Sequence, residues 1–388
     1  MGICSNLKAV FMKKKRILFA ALDIGYRIEL YTKFIQTHLS DQLQPESFTK
    51  FKLAESHYKT SYDYVCAVDK HSKVYVYFYT FFFFLYSLFR FDVFHFFSGE
   101  TLLTRKLRRF EFRMYKLFGK RIVMHFVGSD IRSPEYLFWK DKNLVEFLNG
   151  NRGFPLTLPW QDALIKDTMD FADKILVSTP DLLSIIPTAK YYPVLIDFDK
   201  FVRESGGLSI SRQDDANDRK YTILHSPSNA RVKGTKFIHD ALEELKGEYG
   251  EEVETITPGI RILNSKKLYS VSRYELFELL KKSDVLIDQL VIGWYGLQSM
   301  EALLSGDVVL CYLESGLEQY LYPGCPVINV NAITLKETLT KLISGKRRLA
   351  ASEIETNIAW VKKYHTIENN HEPLLEAWGI DRQSGVVS

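Results

Sequence analysis

Short apolar runs typical of buried strands alternate with amphipathic helical stretches along almost the whole chain. The strand candidates are 16–22, 62–68, 92–97, 121–127, 174–178 and 190–195 in the first half, and 221–225, 253–257, 284–288, 307–312 and 326–330 in the second. Helical patterns lie between them, including 27–39, 161–172, 233–246, 273–282, 297–304 and 334–344. This alternation predicts βα units and therefore an α/β protein with parallel sheets.

The chain has 388 residues, which suits two domains of roughly 150–200 residues each. A polar stretch rich in Ser, Gly and Asp interrupts the pattern and predicts a linker. We therefore divide the chain into a loose extension (1–12), a first domain (13–205), a linker (206–220), a second domain (221–360) and a C-terminal helix with a tail (361–388). Because such sheets bind ligands at the carboxyl ends of their strands, we expect the site in the cleft between the two domains.

The charge is unevenly divided between the two halves. Residues 1–200 contain 29 Lys and Arg against 21 Asp and Glu, a net charge of +8, whereas the remaining 188 residues contain 22 against 26, a net charge of −4. A basic first half and an acidic second half suggest two domains with different neighbours. The excess is too small and too local to indicate a nucleic-acid partner.

Aromatic residues are concentrated in one segment, because 14 of the 54 lie between Tyr75 and Phe97. Residues 74–89 contain no charge and could either cross a membrane or form a buried helix. A spanning helix needs about 20 apolar residues, and this run ends after 16, at Arg90. We therefore expect a buried helix that leads into the strand at 92–97.

Several familiar nucleotide-binding and hydrolase motifs are missing from the sequence. It has no GxGxxG after a strand, no GxxxxGK[ST] and no GxSxG, which argues against nicotinamide-type binding, P-loop chemistry and the hydrolase elbow. Asp197-Phe198-Asp199 has the DxD spacing that can hold a divalent metal. Its other interpretation is a turn that caps a helix at the domain exit, which we favour.

A glycine-containing loop follows the strand that ends near Asp288, and a helix begins near Leu297. The glycines at 293 and 296 let the backbone approach a ligand, and the free N–H groups of a helix start favour an anion such as phosphate. Glu301 lies just over one turn into that helix. The alternative is an ordinary loop followed by a surface glutamate.

Two basic residues follow the first strand of the second domain, in the segment His225-Ser-Pro-Ser-Asn-Ala-Arg231-Val-Lys233-Gly-Thr235. Arg231 could bind a phosphate group as a fork and Lys233 as a point charge. Alternatively, the pair belongs to a solvated surface.

Together these segments resemble a known family. The donor half of GT-B glycosyltransferases, in particular of the retaining nucleotide-sugar enzymes of family 4, is similar to two segments of this chain. They are HSPSNARVKGT and DQLVIGWYGLQSMEALLSGDVVLCYLE, in this order and about 60 residues apart. FHFFSG at 94–99 and GKRIVMHFVGSDIR at 119–132 resemble the acceptor domain of the same family. The resemblance extends from about residue 16 to 375.

The resemblance implies a GT-B fold, with an acceptor-binding Rossmann-like domain, a donor-binding one, and a C-terminal helix that returns to the first domain. It implies transfer of a sugar from a nucleotide-sugar to a glycan or lipid-linked acceptor, as in polysaccharide biosynthesis, with retention of configuration and without a metal or other cofactor. A departing pyrophosphate needs its growing negative charge stabilised, which basic groups and a helix N-terminus supply. The expected location is the cytoplasm.

On the donor side, the resemblance assigns the pyrophosphate to Lys233 with help from Arg231, and the ribose hydroxyls to Glu301. The turn Gly293-Trp294-Tyr295-Gly296 would also contact the donor. The family carries a second glutamate eight residues before Glu301, where this chain has Gly293, and often an arginine where this chain has Pro227. Backbone amides of the turn are one substitute for the missing carboxylate.

On the acceptor side, the resemblance assigns the histidine that faces the transferred sugar to His125, whose alternative is a core histidine. Gly25, Ser129 and Asp130 would line the acceptor site. We expect His95 and His225 to be structural.

A basic amphipathic helix is predicted over residues 103–118. Its apolar positions recur at a spacing of 4, 3, 4 and 3, and basic residues such as Arg105, Arg108 and Arg109 occupy much of the remainder. Such a helix suits peripheral contact with an anionic membrane at its inner face. The alternative is a core-packed helix with a solvated face.

Two other functions remain open at this point. A nucleotide-sugar epimerase on the same fold would need additional acid and base carboxylates in the cleft. A partner subunit that keeps the fold without turnover would be consistent with the glycine at position 293.

Overall fold

Two parallel β-sheets with helices packed against them form the described part of the protein. The computed structural model describes residues 14–23, 25–51, 62–149, 156–208, 219–258 and 271–380. The predicted extension (1–12), most of the predicted linker (209–218) and the end of the predicted tail (381–388) lie outside these ranges. The α/β class predicted from the alternating pattern is confirmed.

The first sheet has seven strands in the order β3-β2-β1-β4-β5-β6-β7, and every pairing is parallel. The strands are β1 (Lys15–Ala20), β2 (Leu43–Thr49), β3 (Tyr64–Val65), β4 (Val93–Phe97), β5 (Arg121–Phe126), β6 (Lys174–Val177) and β7 (Lys190–Tyr191).

The second sheet has five strands in the order β12-β11-β10-β8-β9, again all parallel. The strands are β8 (Tyr221–Leu224), β9 (Val253–Ile256), β10 (Val285–Ile287), β11 (Val308–Cys311) and β12 (Ile328–Asn329).

The helices connect the strands and cover both sheets. In the first half they are α1 (Arg27–His38), α2 (Lys73–Arg90), α3 (Arg108–Leu117), α4 (Pro134–Lys142), α5 (Leu144–Leu148), α6 (Pro159–Phe171) and α7 (Phe198–Ser205). In the second half they are α8 (Ala230–Lys233), α9 (Thr235–Tyr249), α10 (Arg273–Leu280), α11 (Leu297–Leu304), α12 (Leu335–Ser344), α13 (Ala351–His365), α14 (Ile367–Asn370) and α15 (Glu372–Trp378).

Each of the eleven strands predicted from the sequence overlaps a strand of the structure, whereas β2 was not predicted. Its sequence, LQPESFT, contains a proline and few apolar residues. Pro45 is tolerated because, among the described residues, the outer side of β2 is paired only at Phe48 and Thr49. Strand β2 is identified by its pairing with β1 and β3, because its sequence lacks the apolar pattern of a strand.

The aromatic helix α2 buries only one face, so the prediction of a buried helix is wrong for the rest of its surface. Phe83, Phe84 and Leu88 lie in the core, where Phe83 stacks on Phe48 with ring centroids 4.6 Å apart. The opposite side is exposed to solvent. Among the described residues, none of the helices combines the length and the apolarity needed to cross a bilayer.

Helices α4 and α5 come from the first half of the chain but pack against the second sheet. Ser133 caps α4 by accepting a hydrogen bond from the Tyr136 amide at 3.1 Å. The buried side chains of Tyr136 and Phe147 share a core with Leu290 and Tyr312 of the second half. The two halves are therefore joined by apolar packing as well as by the chain.

The C-terminal helices return to the first sheet, as the resemblance predicted. Trp378 of α15 is fully buried, and its indole N–H donates to Nδ1 of His95 on β4 at 3.0 Å. Arg121 donates to the carbonyl oxygens of Ala377 and Glu376, at 2.6 and 3.0 Å. These contacts hold α15 against the first sheet.

Candidate functional site

The carboxyl ends of both sheets face a cavity of about 560 Å³ between the two halves. The first half contributes Arg132, Lys140 and Asp181 to its lining, and the second half contributes Glu314 and Leu317. Ligands of parallel α/β sheets bind at this edge. The cavity is therefore the place where a ligand of this fold would bind, but none of the site residues predicted from the sequence is part of its lining.

Lys233 and the start of α11 converge on one buried carboxylate, that of Asp288. Lys233 forms an ion pair with its Oδ1, while the Gly296 amide and the Ser299 hydroxyl donate to its Oδ2 at 3.3 and 2.5 Å. Burial alone would raise the pKa of Asp288, but the Lys233 charge and these hydrogen bonds lower it from its ordinary value. Lys233 and the start of α11, which were predicted to bind an anion, are thus assembled at the end of β10 around the carboxylate of Asp288.

Arg231 lies on the same short helix as Lys233 but contacts a different part of the protein. Its guanidinium group stacks over the Phe138 ring of α4, 4.7 Å from the ring centroid. Residues two positions apart on a helix point in different directions. Arg231, Ser129 and Asn229 line a second cavity, of about 670 Å³. The structure therefore brings Ser129 and Arg231 together and separates Arg231 from the contacts of Lys233.

Glu301 is buried beside Gly25, which lies after the first strand of the first half. The Arg273 guanidinium group is 2.7 Å from the Glu301 carboxylate and lies 4.8 Å from the centroid of the Tyr26 ring. Burial raises the pKa of Glu301, and the Arg273 charge opposes that effect. Leu297 lies next to Gly25, since a Cβ built on Gly25 would be in ordinary van der Waals contact with Cδ2 of Leu297, at 3.8 Å. Only about 20 Å³ of open space remains among these residues.

Gly293 has a φ of +89°, and a side chain at this position would collide with Glu314. A Cβ built on Gly293 would lie 2.7 Å from Cβ and 2.9 Å from Oε2 of Glu314. The Glu314 amide in turn donates to the Gly293 carbonyl oxygen at 3.0 Å. A carboxylate from the loop after β11 therefore occupies the space next to position 293, where the family pattern predicted a glutamate.

Lys140 of α4 holds the Glu314 carboxylate across the cleft, with 2.9 Å between Nζ and Oε2. The Lys140 side chain is 2% exposed and that of Glu314 is 14% exposed. The ammonium group also lies over the Phe147 ring, 3.8 Å from its centroid. Burial lowers the pKa of Lys140, against the raising effect of Glu314. Sequence reasoning missed both residues, because neither belongs to a local motif.

His125 lies within β5 and has no exposed surface. Its Nε2 is 3.1 Å from the Ser178 hydroxyl, which also accepts a hydrogen bond from Arg27 at 3.2 Å. Burial, together with the nearby charge of Arg27, holds the pKa of His125 well below its usual range. The structure therefore favours the core-histidine alternative over a sugar-facing group. Arg27, which no motif indicated, shares the Ser178 hydroxyl with this histidine.

Asp130 organises the turn after β5 rather than facing the cavity. Its carboxylate accepts hydrogen bonds from the amides of Val127, Gly128 and Ile131, at 2.9, 2.7 and 3.2 Å. Burial raises the pKa of Asp130, and these hydrogen bonds oppose the effect. The side chain that we assigned to the acceptor therefore has a structural task.

Trp294 and Tyr295 lie in the core of the second half, so their side chains are not directed at a donor. Their rings stack with centroids 5.1 Å apart, and both residues are almost fully buried. Gln289 donates to the Trp294 carbonyl oxygen at 2.8 Å. These contacts anchor the glycine-containing turn from within.

The remaining sequence candidates have structural roles. Asp197 of the DxD sequence caps α7 by accepting a hydrogen bond from the Lys200 amide at 2.9 Å, as the capping interpretation predicted. His225 contacts the Ile287 carbonyl oxygen and the Thr235 hydroxyl, both at 2.8 Å. Across the described ranges, no three His, Cys, Asp or Glu side chains cluster in a way that could hold a metal ion.

Solved structures with two such sheets align with nearly the whole chain. The catalytic domain of starch synthase IV from Arabidopsis thaliana, bound to ADP and acarbose, has a TM-score of 0.60 and 10% identity, over 95% of this chain and 99% of that one. Anabaena HepE in complex with UDP and glucose has a TM-score of 0.54 and 12% identity, over 95% and 100%. A candidate UDP-N-acetylglucosamine 2-epimerase from Listeria monocytogenes has a TM-score of 0.53 and 11% identity, over 97% and 100%.

No family model and no curated protein sequence matches this chain. At identities of 10–12%, the structural likeness concerns the fold. A starch synthase and an epimerase are both among the similar structures, so the fold is compatible with either reaction. The two parallel sheets, the cleft between them and the returning C-terminal helix together show that this chain has the GT-B fold.

Proposed function

We propose that the protein is a glycosyltransferase that takes a sugar from a nucleotide-sugar bound in the cleft. The observation that carries the proposal is the convergence of Lys233 and the Gly296 amide on Asp288 at the carboxyl end of the second sheet, with Glu301 on the helix that Gly296 precedes. Structures of this fold hold UDP with glucose in HepE and ADP with acarbose in starch synthase IV. The resemblance to family 4 supports the same reaction.

Lys233 is suited to stabilise the departing pyrophosphate. Its ammonium group has three donors, and the pair with Asp288 uses only part of this capacity. The side chain is 14% exposed, so that a phosphate oxygen can approach it. Asp288 holds the ammonium group in place, and the N-terminus of α11 adds backbone N–H groups. Charge that develops on the leaving group is then met by fixed donors.

Glu314 supplies the carboxylate that the sequence pattern lacks. It lies against Gly293, on the wall of the cavity, and Lys140 fixes its orientation. A fixed carboxylate accepts hydrogen bonds from sugar hydroxyls. In this arrangement the donor sugar occupies the 560 Å³ cavity, while Glu301 contacts the ribose after Arg273 has moved aside.

The finer features of the reaction rest on the resemblance to family 4. They are retention of configuration, independence from a metal or other cofactor, and a glycan or lipid-linked acceptor on the first half of the protein. A lipid-linked acceptor would place the protein in the cytoplasm at the inner face of a membrane. Polysaccharide biosynthesis is a setting that combines these features.

Titration of the purified protein with UDP-, GDP- and ADP-sugars tests the proposal. We expect one donor to bind, with slow hydrolysis to the free sugar and the nucleoside diphosphate when no acceptor is present. The variant Glu314→Gln should retain binding of the nucleoside diphosphate and lose discrimination between the intact donor and the diphosphate. Glu318→Gln is the matched control, since Glu318 lies in the same loop and is not part of the cavity lining.

The alternatives give different results in the same experiment. Appearance of an isomerised nucleotide-sugar would indicate the epimerase. Donor binding with neither hydrolysis nor transfer would indicate a partner subunit without turnover. Absence of binding to every nucleotide-sugar would refute both enzymatic functions.

A further inference from the structure

The outer face of α2 exposes a continuous stripe of apolar side chains. The stripe consists of five residues that follow one another at helical spacing. They are Val74 (64% exposed), Phe78 (61%), Phe82 (62%), Leu85 (37%) and Phe89 (77%). Tyr residues at 75, 77 and 86 are also exposed. Surfaces of this kind on soluble domains mark sites of interaction.

The packing of α2 holds this stripe outward. Its inner residues are fixed by ring contacts, such as Phe83 with Phe48 at 4.6 Å and Phe84 with Tyr115 at 5.6 Å. Rotation of the helix to bury the stripe would therefore expose the present core. The apolar face is a stable feature of the first half.

The stripe continues onto the end of α3. Phe118 meets Phe89 edge to face, with centroids 5.3 Å apart, and is itself 38% exposed. We call Val74, Phe78, Phe82, Leu85, Phe89 and Phe118 the aromatic surface. Helix α2 has 18 residues, so the surface is about 27 Å long.

The basic side chains of α3 are less available than the sequence suggested. Arg108 and Arg109 pair with Asp167, at 3.3 and 3.0 Å, and Lys116 pairs with Asp173 at 2.7 Å. Arg105 pairs with Glu100 at 3.4 Å. The predicted contact between the basic face of 103–118 and a membrane therefore has most of its charge neutralised within the chain.

The charge of α2 and of the first half as a whole nevertheless favours an anionic partner. Helix α2 contains no acidic residue and begins with the exposed Lys73. Lys106 and Arg113 are exposed, and neither forms an ion pair with another described residue. Residues 1–200 carry a net charge of +8. A second copy of the chain would bring like charges together, whereas an anionic bilayer neutralises them.

We propose that the aromatic surface binds the headgroup region of an anionic lipid bilayer, with α2 lying parallel to the membrane. Phe side chains enter the boundary with the acyl chains, and Tyr hydroxyls remain among the headgroups. The exposed basic residues Lys73, Lys106 and Arg113 contact anionic lipids. This proposal is independent of the reaction in the cleft.

Vesicle flotation at two lipid compositions tests the proposal. The full chain is mixed with phosphatidylcholine vesicles and with vesicles containing phosphatidylglycerol, at low and high salt. We expect binding to the anionic vesicles that weakens with salt. The triple variant Phe78→Ser, Phe82→Ser, Phe89→Ser should reduce the partition coefficient by about a hundredfold, since each exposed Phe contributes burial of apolar area.

The matched control is the triple variant Met169→Ser, Tyr274→Ser, Ile333→Ser, which removes three other exposed apolar side chains. It should bind vesicles as the unmodified protein does. Neutralisation of Arg105, Arg108 and Arg109 should change binding by less than about threefold, because these residues are already paired. Circular dichroism confirms that each variant is folded.

A second measurement reports the contact directly. The variant Phe82→Trp should show tryptophan emission that shifts to shorter wavelength with anionic vesicles and is quenched by brominated lipids, more strongly than in the unmodified protein. Equal vesicle binding by the Phe78, Phe82 and Phe89 variant and the unmodified protein would overturn the proposal. So would a failure of the folded protein to bind vesicles, or a dimer in light scattering that the same three substitutions dissolve.

Discussion

The buried pair between Lys140 and Glu314 should be strongly coupled, because it joins the two halves of the protein. The perturbation is Lys140→Met, which keeps most of the length of the unbranched side chain and removes its charge. Unit charges 2.9 Å apart attract by about 6 kcal/mol at an effective dielectric constant of about 20. The desolvation of both groups offsets most of this attraction.

Removal of one partner nevertheless leaves the other charge with only its remaining contacts. Loss of one member of a buried pair costs about 3–5 kcal/mol. Glu314 is 14% exposed and borders the cavity, so water reaches the freed carboxylate. We therefore expect Lys140→Met to lower the free energy of unfolding by about 3 kcal/mol. The double variant Lys140→Met, Glu314→Gln should lie within about 1 kcal/mol of the unmodified protein.

Urea unfolding followed by tryptophan fluorescence measures these free energies, and the two single variants with the double variant form a double-mutant cycle. The matched control is Lys336→Met, which breaks surface pairs with Glu244 and Glu248 and should cost less than about 1 kcal/mol. A coupling energy below about 0.5 kcal/mol between Lys140 and Glu314 would refute the reasoning. It would mean that the ammonium group does not hold the carboxylate at the cleft.

Three further predictions concern single positions. Lys233→Met should abolish donor binding and leave the Asp288 carboxylate without its cation, so Lys233→Met, Asp288→Asn should recover stability but not binding; calorimetry and urea unfolding separate the two effects. Gly293→Ala should cost about 2–4 kcal/mol, from the positive φ and the collision with Glu314, and an unchanged melting temperature would contradict this. Burial raises the pKa of Asp23 to about 6 from an ordinary value of 3.8. The stabilising contribution of Asp23 is therefore complete below pH 3.8 and falls by about 3 kcal/mol as the pH rises to 6. The difference in unfolding free energy between the unmodified protein and Asp23→Asn should show this decline, and a difference independent of pH would exclude it.

The fold could be predicted well from the sequence because the buried strands of parallel α/β sheets produce short apolar runs that are visible locally. Strands such as β4 and β10 are buried on both faces and appear as continuous apolar runs. Strand β2 escaped prediction because its place next to β1, at one side of the sheet, lets it contain Pro45 and polar residues. The position of α4 and α5 against the second sheet also escaped prediction, since it depends on contacts between distant parts of the chain.

The site was predicted less completely than the fold, for a physical reason. Local spacing placed Lys233 and Glu301 at the carboxyl end of a sheet, which requires only that a strand ends and a helix begins. It could not show that Trp294 faces the core, nor that His125 is fully buried. Which side of a strand or turn faces the cleft depends on the packing of the other half of the protein.

The same principle explains the glycine at position 293. In the sequence, Gly293 stands where the family pattern places a glutamate, eight residues before Glu301, so a carboxylate is missing at this position. In the folded protein a carboxylate is present beside that position, brought by Glu314 from the loop after β11 and held by Lys140 from the other half. Two side chains cannot occupy this space, so the glutamate at 314 requires the glycine at 293. The apparent loss of a binding residue is therefore consistent with its relocation, and it is weak evidence for a subunit without activity.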